Sequence, residues 1–97
     1  MNHLPFIRLC NKDLTITVSD IRKLPIGGTG IIVYFECPNK SGLDYNTMEC
    51  YIREDGYVSK MVNIVGFSLA EVKYYKKIIN ALSVEALEVS KNCSNSP

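Results

Sequence analysis

The chain has 97 residues, 46% of them hydrophobic and 22% charged, with a formal net charge of +1. That length supports one core without a metal or disulfide as staple, and the near-neutral balance excludes a global field steering the chain to nucleic acid or anionic membrane. No apolar run is long enough to cross a bilayer as a helix, and residues 1–5 lack the basic and apolar regions of an export signal, so a cytoplasmic location is expected.

The cysteines Cys10, Cys37, Cys50 and Cys93 are widely spaced, with no Cys-x-x-Cys pair, and His3 is the sole histidine. Reduced, space-filling thiols are therefore expected, with Cys37 and Cys50 on adjacent strands and neither metal nor cofactor bound.

Residues 6–10 are a candidate first strand, ended by the turn-rich Asn11-Lys12-Asp13. Residues 14–18 alternate apolar and hydroxyl side chains, most of them β-branched, and read as a strand. Pro25 and three glycines mark residues 19–30 as a loop. Residues 31–37 have one wholly apolar face, Ile31, Val33, Phe35 and Cys37, and carry Ile32, Tyr34 and Glu36 on the other, a nearly two-sided hydrophobic pattern as in a central strand, and Pro38 stops them. A loop over 39–46 follows.

The next two strands form a hairpin. A three-residue loop, Glu54-Asp55-Gly56, with a left-handed Gly56, sets Ile52 opposite Val58 and Met48 opposite Val62, with Cys50 on the same side. The other face then carries Glu49, Tyr51, Arg53, Tyr57 and Met61. Lys60 falls on the apolar side, where it needs an edge position to reach water.

Ser68-Leu69-Ala70-Glu71 has the form of a capping box, with Phe67 and Val72 placed as a hydrophobic staple. Val72, Tyr75, Ile79, Leu82, Ala86 and Val89 then mark one stripe of a helix reaching about Lys91, with Ser83 as a candidate break. Together these elements predict an α+β fold: a meander-like antiparallel sheet of three to five strands with one C-terminal helix packed on one face. Residues 1–91 are expected to form a single domain, and 92–97 a disordered polar tail.

Catalytic chemistry is poorly served. Gly27-Gly28-Thr29-Gly30 enters a strand and lacks the lysine and hydroxyl of a P-loop. His3 is the only imidazole available to activate a nucleophile, and the neighbouring Glu36 and Glu49 are expected to be solvated. No catalytic residue is assigned, and the chain is expected not to be an enzyme.

Two surfaces remain. The uncovered sheet face offers Tyr34, Tyr51, Arg53, Tyr57 and Met61, residue types enriched where proteins bind proteins. The leading expectation is a small interaction module that occupies a partner's surface, of the kind common among inhibitors and accessory proteins of mobile elements; a homodimer through this face is also open. The alternative is a nucleic-acid accessory protein using Lys73, Lys76 and Lys77 on the helix. No membrane partner is expected.

Overall fold

The structure, a computed structural model, describes residues 4–9, 14–39 and 44–94. In chain order the strands are β1 (Leu4–Leu9), β2 (Leu14–Val18), β3 (Arg22–Lys23), β4 (Thr29–Pro38), β5 (Tyr45–Arg53) and β6 (Val62–Val65). Two helices follow, α1 (Leu69–Ala81) and α2 (Ser83–Ser94). The strands form one antiparallel sheet in the order β1-β2-β4-β5-β6, with β3 also paired to β4. The α+β architecture with an antiparallel sheet follows the expectation, but the described residues form two helices rather than one. Cys10 and the turn at 11–13 lie outside the described residues, as do residues 95–97. Residues 92–94, expected in the tail, belong to α2.

Alternation decides which face is buried. Leu14, Ile16 and Val18 of β2, Ile31, Val33 and Phe35 of β4, and Met48, Cys50 and Ile52 of β5 share the covered face. Tyr75, Ile79, Ala86 and Leu87 of the two helices close this core. The Tyr75 ring packs edge-on against Phe67 at 5.9 Å and lies 6.3 Å from Phe35, tying α1 to the centre of the sheet. Cys50 and Cys37 lie on adjacent strands but are not opposite one another: Cys50 faces Val33 and Cys37 faces Asn46.

The capping box forms as its sequence predicts. The Ser68 hydroxyl accepts from the Glu71 amide at 3.2 Å, and the Glu71 carboxylate accepts from the Ser68 amide at 2.9 Å. The helical stripe breaks at Leu82, whose N–H is shared between the carbonyls of Ile78 and Ile79. The Ser83 hydroxyl donates to the Asn80 carbonyl at the same turn, a bond that bends helices. Beyond the break, Leu87 and Ser90 turn inward beside Ala86.

Two serines mark bulges in the sheet. Four steps from Val18 to Arg22 face three from Val33 to Gly30, so β2 and β3 are one strand interrupted by a bulge at Ser19. There Ser19 donates its N–H to Ile32, and its hydroxyl accepts the Ile32 N–H at 2.9 Å. Ser59 does the same for Tyr51, with its hydroxyl accepting the Tyr51 N–H at 2.8 Å. Ile32 and Tyr51 are cross-strand partners, so the two bulges flank one row of the sheet. Ser90 of α2 donates to the Ser19 carbonyl at 2.6 Å in a buried contact, which fastens α2 to the first bulge.

The second bulge corrects the hairpin register. The loop is as expected: Gly56 has φ +98°, Gly56 donates to Arg53, and Ile52 faces Val58. Beyond Val58 the extra residue near Ser59 shifts the pairing, so that Glu49 rather than Met48 faces Val62. A one-residue slip reverses the faces. Met61 therefore enters the core, 7% exposed, instead of standing on the open face. A further irregularity in β6 sets Val65 opposite Thr47, with Asn63 left-handed at φ 53°. Among the described residues, no helix is long and apolar enough to cross a membrane.

Candidate functional site

The face of the sheet turned away from the helices is set by the other half of each strand's alternation. The register places Ile32 beside Tyr51, Tyr34 beside Glu49 and Thr17, and Gly30 beside Arg53. A side chain at position 30 would collide with the Ile52 carbonyl, so only glycine lets β4 pass so close to β5 there.

Tyr34 and Tyr51 are both on this face, yet they differ in use. Tyr51 is 8% exposed and offers little surface, whereas Tyr34 is half-buried. Burial, followed by the nearby Glu49 carboxylate, pushes both phenols up from their ordinary pKa. They stay protonated and can donate hydrogen bonds. Met61 is absent from this face for the reason given above.

An exposed aromatic side chain of this face is at the hairpin tip. Tyr57 is 51% exposed, and the Arg53 guanidinium lies over its ring at 4.9 Å. Arg53 is itself gripped by both oxygens of Asp55, at 2.8 and 3.3 Å. The Asp55 carboxylate also accepts the Tyr57 N–H at 3.0 Å. These bonds hold the Asp55 carboxyl below its usual pKa, with the Arg53 contribution largest, and hold Arg53 above its own. The tip is thus a prefolded aromatic–guanidinium pair. Asp55 was not singled out in the sequence, although an aspartate two residues before an aromatic at a glycine turn suggests an Asx-type clasp.

Further along the same face a pocket of about 160 Å³ is lined by Tyr34, Glu36, Thr47, Glu49 and Asn63 among others. Glu36 and Glu49 do approach one another here, diagonally across β4 and β5 rather than directly opposite. Asn63 donates its amide to Glu49 at 2.5 Å, a contact created by the left-handed turn in β6. Sequence reasoning missed Asn63 because the bulge that aims it depends on Ser59, whose role is tertiary.

On the helix side, Lys73, Lys76 and Lys77 are joined by Lys60 around a groove of about 410 Å³ whose apolar walls are Met61 and Val72. The Lys76 ammonium donates to Asn80 at 3.0 Å. Among the described residues, no group of three or more His, Cys, Asp or Glu side chains is placed to hold a metal ion. Comparison of the chain with protein-family models, with curated proteins and with solved structures finds no match.

Proposed function

We propose that this chain is a protein-interaction module without a catalytic step of its own, binding a partner protein through the sheet face that the helices leave uncovered. The observation that carries the reading is the Arg53–Tyr57 pair, with the Tyr57 ring exposed and the half-buried Arg53 already locked by Asp55. Tyrosine and arginine are the residues that most often anchor interfaces. An anchor ordered before binding loses less conformational entropy when the partner arrives. Tyr34, Ile32 and the small pocket beside Glu49 extend the surface from that tip along the sheet.

The reading is tested by site-specific photocrosslinking. A photoreactive phenylalanine replaces Tyr57 in one sample and the exposed Val84 of α2 in another, and each is irradiated in extract of the native host. The expected result is a discrete protein adduct from position 57 that position 84 does not give. The same adducts from both positions, or none from position 57, would contradict it.

A further inference from the structure

On the opposite side of the molecule, the groove between α1 and the segment leading into β6 joins two features that are usually kept apart. Met61 and Val72 give it apolar walls, and the side chains of four lysines, Lys60, Lys73, Lys76 and Lys77, complete its lining. Among the described residues the ion pairs are Arg22–Asp20 and Arg53–Asp55, so none of the four lysines has a carboxylate partner. Glu71, the acidic residue of the first turn of α1, is engaged by the capping box. The other carboxylates that define the sheet side, Glu36, Glu49 and Asp55, line the opposite face or the hairpin tip.

We infer that this groove is a docking site for a short acidic segment of a partner protein, with carboxylates flanking one or two apolar side chains. Charge complementarity selects the carboxylates: four like charges gathered around one depression repel each other and are relieved by an anionic occupant. The apolar walls select the apolar side chains. Met61 supplies an adaptable thioether and Val72 a branched wall, and a volume of about 410 Å³ is of the size that ligand pockets have. The lysine stems themselves add apolar surface to these walls.

Nucleic acid satisfies only half of this arrangement. Single strands are held by a basic track together with rings on which bases stack. No ring lines this groove: Tyr75 is buried beneath α1, and Tyr74 packs edge-on to it at 5.2 Å outside the lining. A phosphate backbone would neutralise the lysines and leave Met61 and Val72 without an apolar partner. This inference is independent of the sheet face proposed above, because no residue is shared between them.

The test is selection from a random peptide display library on the immobilised full chain, with oligothymidylate as the nucleic-acid probe. Enriched peptides are expected to carry acidic residues next to aliphatic or aromatic ones, and their binding is expected to weaken with salt. Lys73→Gln together with Lys77→Gln should weaken the selected peptides about 3- to 30-fold, the loss of two exposed ion pairs. Lys73→Arg with Lys77→Arg should retain them, which separates charge from an unfolded variant. Tyr57→Ala should bind them as the wild type does. The inference is overturned by selection of peptides without acids, by no enrichment, or by retention on the glutamine variant. A loss in Tyr57→Ala overturns it too, since the peptides would then occupy the sheet face. Displacement of the selected peptides by oligothymidylate at lower concentration would assign the groove to nucleic acid.

Discussion

Gly56 turns the hairpin at φ +98°, with open space where a side chain would stand. The cost of a substitution there is therefore backbone strain alone. Gly56→Val should lose about 1–3 kcal/mol in a urea melt, and a neutral result would remove the left-handed turn from the account. Cys50 presents a different residue-scale effect. Burial pushes its thiol up from 9.0 to about 12, with Lys76 opposing and Glu49 adding to the rise. The folded chain keeps the proton, while the unfolded chain releases it from about pH 9. The stabilising contribution is thus intact below about pH 9 and is lost as pH rises toward about 12, by at most about 4 kcal/mol. Tyr34, Tyr51 and Tyr75, all pushed up from 10.0 by burial, act in the same direction at higher pH. The urea midpoint should fall between about pH 8 and about pH 11, and Cys50→Ala should fall less steeply from its lower starting point. An equal fall in both proteins would show that the thiol is not the group responsible.

At the scale of elements, hydrogen bonds to side chains decide what periodicity cannot. Alternation in residues 14–18 and 31–37 was enough to find β2 and β4, and Ser68 and Glu71 together announced the start of α1. The loop after β5 was also legible, because Asp55-Gly56 has few ways to turn. The register beyond it was not. A serine that lends its hydroxyl to a neighbouring strand looks like any other serine, and Ser59 shifts Met61 from one face to the other. Ser19 hides β3 inside what reads as loop for the same reason. Its carbonyl receives the hydroxyl of Ser90, the buried polar contact that docks α2 across the sheet. Ser90→Ala leaves that carbonyl without its side-chain partner and should cost about 1–3 kcal/mol. Hydrogen exchange should show α2 opening before α1 in this variant. Uniform loss across both helices would mean that they unfold as a unit and that the contact does not govern α2 alone.

The whole molecule presents unlike surfaces on its two sides: an open sheet face ending in Arg53 and Tyr57, and a helix side with a lysine-lined groove. Part of this candidate site was readable. Tyr34, Arg53 and Tyr57 follow from alternation and the turn, while Lys73, Lys76 and Lys77 follow from helical spacing. Tyr51 faces the right way but is nearly covered, and burial on an outer face depends on neighbours that no local pattern reports. Lys60 had seemed misplaced on the apolar side; the groove gives that position its environment beside α1. On the proposed function, the prefolded tip anchors a protein partner. This anchoring is tested most directly by titrating the partner captured at position 57 against wild type and Tyr57→Ala, with urea melts of both. The account predicts a loss of about 2 kcal/mol in binding, roughly 30-fold in Kd, with the melt little changed because the ring is half exposed and outside the core. Equal affinity of the two proteins for that partner would contradict it.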